Sequence, residues 1–117
     1  MSNILGIGGF FFRAKDSAAL KSWYTDVLGI VLKEYVWNQE AGPTVFEPFP
    51  IDSDYFSAEK QWMINFRVSD VDAVIADLRE KGVEVETREE WNASPELGKF
   101  ARVNDPEGNP IELWQPV

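Results

Sequence analysis

Two segments of this 117-residue chain carry one pattern twice, and that repetition limits the available folds more than any other feature. Asp16 opens DSAALKSWYTDVLG and Asp70 opens DVDAVIADLREKG. Asp70 follows Asp16 by 54 positions, and Gly82 follows Gly29 by 53. In each segment an aspartate suits the helix N-cap and a glycine suits the stop. Between them apolar residues recur at helical spacing: Leu20, Trp23, Tyr24, Val27 and Leu28, then Val71, Val74, Ile75 and Leu78. The flanks repeat too. Strand-like runs precede the helices at Gly8 to Arg13 and Met63 to Val68, and extended stretches follow at Ile30 to Trp37 and Val83 to Trp91. Two more short strands close each half, near Thr44 to Phe49 and Asp54 to Ser57, then Lys99 to Asn104 and Pro110 to Gln115. The last two are joined by the turn-forming sequence Asp105-Pro106-Glu107-Gly108-Asn109. The expectation is a single α+β domain of two tandem βαβββ modules, about residues 4–58 and about residues 61–117, forming a cupped mixed and antiparallel sheet around a cavity.

Strand alternation assigns faces. Ile64, Phe66 and Val68 suit the helix side, as do Ala101, Val103, Ile111 and Leu113. The opposite face then carries Met63, Asn65, Arg67, Phe100, Arg102, Glu112 and Trp114, with Phe11 and Arg13 from the first strand. That mixture is too polar for a dry core and too aromatic for a plain wet surface. It reads as the wall of a ligand pocket.

Composition narrows the chemistry. The chain has no histidine and no cysteine, so a Ser-His-Asp triad, an imidazole metal ligand, a thiolate nucleophile and a disulfide are all excluded. Asp and Glu number 20 against 11 Lys and Arg, a formal charge of −9. Such a surface repels nucleic acid and anionic membrane, so neither is an expected partner. No apolar run is long enough to span a bilayer and the N-terminus lacks a basic leader, so the cytoplasm is the expected location. The Gly6-Ile7-Gly8-Gly9 cluster precedes a strand-like run, not a helix, and so is not a phosphate loop.

Three stretches, FFFRAKDSAALKSWYTDVLGI, FRVSDVDAVIADLREKGVEV and the ending NDPEGNPIELW, resemble the glyoxalase/bleomycin-resistance/extradiol-dioxygenase superfamily, also called the vicinal oxygen chelate superfamily. The resemblance covers essentially the whole chain. It implies paired βαβββ modules and a homodimer. Metal-dependent members place ligands in the first and last strands of each module. The resemblance puts the first-strand positions at Gly9 and Met63, which offer no side chain and a soft thioether. The final glutamate of the pattern is present as Glu112. The fourth position falls on Glu47 or on Tyr55, depending on which first-half strand is last.

The expected function is therefore metal-free binding of an aromatic or partly apolar small molecule, with no cofactor. Glu112 is the carboxylate placed to anchor a ligand or act as a base; its bland alternative is an acid neutralised by Arg102 or Arg67. Asn65 and the arginines supply further polar anchors. Phe11, Trp37, Glu47, Tyr55, Met63, Phe100 and Trp114 complete the candidate wall, and Trp62 and Trp91 fall where they can rim it. The rival expectation is a lyase, isomerase or dioxygenase-like enzyme using Glu112, with Glu47 and a metal held partly by substrate.

Overall fold

A computed structural model describes residues 3–117. Helix α1 (Ser17–Asp26) and helix α2 (Val71–Glu80) form where the repeat places them. Asp16 accepts a hydrogen bond from the Ala19 N–H at 3.0 Å, and Asp70 accepts one from the Ala73 N–H at 3.1 Å. Each cap satisfies an amide that the helix leaves unpaired. Gly29 and Gly82 end the two runs at φ 76° and 82°, a region that residues with a Cβ adopt only under strain.

The sheet has three strands, β1 (Ile64–Arg67), β2 (Lys99–Asn104) and β3 (Pro110–Gln115), in the order β1-β3-β2. Strand β1 runs parallel to β3, and β2 runs antiparallel to it, with Arg102 opposite Glu112 and Phe100 opposite Trp114. The core lies on one face, where Leu20 and Tyr24 of α1 and Val71 and Leu78 of α2 meet Ala101, Val103, Ile111 and Leu113. The alternation predicted from sequence is the alternation observed: Glu112 and Arg102 lie between these apolar positions and leave the sheet on its other side.

The first half departs from expectation. None of its four predicted strands forms a ladder, and the stretch from Ile30 to Trp37 retains a single bridge between Lys33 and Val36. Side chains near the first predicted strand still alternate, as Phe10 and Phe12 meet the Trp62 ring at 4.8 and 5.3 Å while Phe11 is 93% exposed. What is missing is a hydrogen-bonded neighbour, which the period-two pattern does not supply. Pro43, Pro48 and Pro50 also remove backbone donors from the later stretches. In the second half, the stretch from Val83 to Trp91 shrinks to one bridge, with Glu86 and Arg102 exchanging both backbone bonds at 2.8 Å. Beyond it the chain turns into a 3₁₀ helix at Glu89–Asn92.

The turn between β2 and β3 joins the two halves. Asp105, 4% exposed, accepts bonds from the Glu107 N–H (2.9 Å), the Asn109 N–H (3.0 Å), Asn109 Nδ2 (2.8 Å) and the Tyr24 hydroxyl of α1 (2.7 Å). Burial and this carboxylate push the Tyr24 hydroxyl well above its ordinary pKa. The Glu107 carboxylate in turn accepts the N–H groups of Lys15 and Asp16 at 2.7 and 3.1 Å, at the start of α1. Among the described residues no helix is long and apolar enough to cross a membrane.

Candidate functional site

On the sheet face away from the helices, the alternation of β1, β2 and β3 brings Asn65, Arg102 and Glu112 together. Glu112 is buried at the centre of this face. Its Oε1 accepts a bond from Asn65 Nδ2 at 2.8 Å, and its Oε2 accepts one from the Tyr55 hydroxyl. Arg102 stands beside it without pairing: among the described residues no ion pair joins the two. The guanidinium instead faces two adjoining rings, 5.0 Å from the centre of Tyr55 and 5.1 Å from that of Trp91, whose own centres are 6.2 Å apart. Its Nη2 donates to the Tyr55 carbonyl at 3.1 Å, while its Nε is buried without a partner.

Tyr55 thus covers both charges. It arrives on the irregular stretch between Ser53 and Ser57, where the Phe49 ring also packs against it at 5.7 Å. Burial first, then the bond to Glu112 and its negative charge, push the Tyr55 hydroxyl up to about 12, with Arg102 opposing. A hydroxyl held neutral in the folded chain stabilises it fully below its ordinary pKa of 10.0, and this contribution fades as pH rises through about 12. Ultraviolet titration of the native protein will therefore show a tyrosinate component centred near 12 that is absent from Tyr55→Phe.

Phe100 and Trp114 stack on the same face with ring centres 6.3 Å apart and planes within 4°, and Trp114 Nε1 donates to the Leu97 carbonyl at 2.7 Å. Arg67 shares the face of Asn65, but its Nη2 donates to the Glu40 carbonyl at 2.7 Å, and its guanidinium lies where a Cβ on Gly42 would stand. Met63 is half-buried just before β1. The remaining candidates lie apart from this cluster. Phe11 is exposed with its ring over Gly9, Glu47 is exposed, and Trp37 meets Phe66, whose ring also touches Tyr24 on the helix side. Between Glu47 and Tyr55, it is Tyr55 that reaches Glu112.

Trp91 matters more than its sequence position suggested, because the guanidinium of Arg88 also approaches its ring, at 5.2 Å. Neither Tyr24–Asp105 nor the capping role of Glu107 was legible beforehand, since both join residues more than eighty positions apart. Among the described residues no three carboxylates converge as metal ligands. The two hollows of note lie elsewhere: one of about 500 Å³ between α1 and Pro106, another of about 410 Å³ beside Lys99 and Gln115.

Comparison with known proteins gives a consistent picture. The profile of the Glyoxalase/Bleomycin resistance protein/Dioxygenase superfamily matches residues 6–113. The uncharacterized protein YaeR of Escherichia coli is 30% identical over 118 aligned positions, covering 87% of this chain and 89% of that protein. The uncharacterized protein YraH of Bacillus subtilis is 37% identical over 62 positions, half of this chain and 44% of its own length. Among solved structures, TnmS3, an antibiotic binding protein from Streptomyces sp. CB03234, aligns over the whole of both chains with a TM-score of 0.66 and 26% identity. A glyoxalase/bleomycin resistance protein from the same strain aligns over 86% of this chain and 92% of its own, with a TM-score of 0.54 and 27% identity.

Proposed function

This chain belongs to the glyoxalase/bleomycin resistance/dioxygenase superfamily, and from that premise we propose that it binds an aromatic or partly apolar small molecule without a metal and without turnover. The observation that carries the reading is the state of Glu112. Both of its oxygens accept bonds, from Tyr55 and Asn65, so the carboxylate is held in one orientation as an anchor. The fit of a divalent ion is poor. Of the positions that the superfamily would use, Gly9 sits under the Phe11 ring, Met63 offers a thioether, and Tyr55 presents a hydroxyl that donates towards the carboxylate. The rings of Trp91, Phe100 and Trp114 supply flat apolar surface beside that anchor. Whole-length similarity to an antibiotic binding protein supports the same reading.

The proposal extends to the assembly. Leu5, Phe11 and Phe46 are 98%, 93% and 82% exposed, too much apolar surface for a chain that works alone. The radius of gyration, 14.9 Å, exceeds the roughly 13 Å of a compact chain of this length. A second copy pairing with the first half would cover those side chains and give its extended stretches the neighbours they lack, so the proposed working form is a homodimer. A thermal-shift panel of planar aromatics and antibiotics tests the binding. At a hundredfold excess over Kd, a true ligand stabilises by about 2.7 kcal/mol; a panel without a single stabilising compound would overturn the reading.

A further inference from the structure

We propose that the Glu112 face takes a hydroxylated aromatic ligand carrying a hydrogen-bond acceptor across the ring, and that Tyr55 occupies this site as an internal stand-in which the ligand displaces. This rests on the binding reading above and names its ligand class. Tyr55 offers the face three groups. Its hydroxyl donates to Glu112, its ring lies 5.0 Å from the Arg102 guanidinium, and its carbonyl accepts from Arg102 Nη2 at 3.1 Å. A phenol with a carbonyl or carboxylate opposite its hydroxyl presents the same three groups in the same order.

The arginine has capacity to spare. Arg102 is 8% exposed, yet its Nε finds no acceptor. A buried donor left unmade is costly, and a ligand acceptor stronger than a single backbone carbonyl relieves that cost. The Trp91 ring, 5.1 Å from the guanidinium, still flanks the cation when Tyr55 leaves. The backbone of the stand-in is lightly held, and its side chain is tied to the same groups that the ligand would take over. Tyr55 belongs to no helix or strand, and its own N–H has only a 3.3 Å bond to Ser53 Oγ. An ordinary wall residue and a stand-in differ in one respect: removing the hydroxyl of a wall residue weakens ligand binding, whereas removing that of a competitor strengthens it.

Calorimetric titration of 4-hydroxyphenylacetate, 4-methoxyphenylacetate and phenylacetate into the wild-type protein and Tyr55→Phe makes that distinction. The variant keeps the ring and loses one bond, and its fold is checked by circular dichroism. The expected result is that 4-hydroxyphenylacetate binds Tyr55→Phe about tenfold more tightly than wild type, while the other two compounds bind both proteins at least about tenfold more weakly. Weaker binding of 4-hydroxyphenylacetate by Tyr55→Phe would overturn the stand-in. Equal binding of phenylacetate would overturn the requirement for a hydroxyl and leave aromatic binding standing. Absence of binding by all three compounds in both proteins would overturn this ligand class, with the wider thermal-shift panel deciding the broader reading separately.

Discussion

Replacing Asp105 with alanine is expected to cost about 3–5 kcal/mol of folding stability, a large part of the roughly 5–15 kcal/mol that holds a domain of this kind together. The carboxylate is buried and accepts four hydrogen bonds, two from backbone N–H groups of its own turn, one from Asn109 and one from Tyr24. Alanine leaves all four donors without their acceptor and cuts the Tyr24 tie between α1 and the β2–β3 turn, leaving the one through Glu107. Tyr24→Phe removes only that tie and should cost about 1–2 kcal/mol, with most of the turn intact. Urea unfolding of the two variants checks the ranking. Equal losses would mean that the turn itself contributes little and that the link between the halves carries the effect. Alkaline conditions probe the same bond. The Tyr24 hydroxyl ionises higher in the folded chain than in the unfolded one, so its stabilisation is complete below its ordinary pKa of 10.0 and fades above it.

The second large effect separates binding from folding. Glu112→Gln should lower affinity for an aromatic ligand found in the thermal-shift panel by about thirtyfold, close to 2 kcal/mol, the worth of a charge-assisted hydrogen bond. Its stability should stay within about 1 kcal/mol of wild type. The asymmetry comes from the surroundings of Glu112. It is buried, and among the described residues no cation lies within ion-pairing distance, while the amide keeps an acceptor for Asn65 or Tyr55. A carboxylate retained only to hold the sheet would show the reverse pattern, with stability falling and affinity unmoved. Ligand titration and denaturant unfolding of the one variant distinguish the two.

In the second half the helix and three strands were legible almost residue by residue, while the extended stretch expected from Val83 to Trp91 kept a single bridge. Alternation in INFR, KFARVN and PIELW placed Asn65, Arg102 and Glu112 on one face because the helix side demanded Phe66, Val103, Ile111 and Leu113. Asp16 and Asp70 marked both helix starts because a short side-chain acceptor next to a helical apolar pattern has few other uses. The first half was legible only as a repeat. Its runs have strand composition, but pairing is a property of two segments, and the pattern of one does not say whether its neighbour lies in the same chain. Within the site, charge complementarity suggested Glu112 against Arg102 or Arg67. The structure instead gives Glu112 a phenol and an amide, gives Arg102 two rings, and gives Arg67 a backbone carbonyl. Opposite strand registers place two charges side by side, but side-chain reach and the arriving Tyr55 decide what each one touches. The roles of Tyr55 and Trp91 depend on irregular segments, where no periodicity reports which way a ring points.

In the proposed function, this superfamily member binds its ligand through Glu112, Asn65 and Arg102 with no metal bridging them. Calorimetric titration of a compound found in the thermal-shift panel, before and after exhaustive chelation and again with added nickel, zinc or manganese, tests it most directly. Metal-free binding gives one affinity under all three conditions. Binding that disappears on chelation and returns with a stoichiometric divalent ion would contradict it.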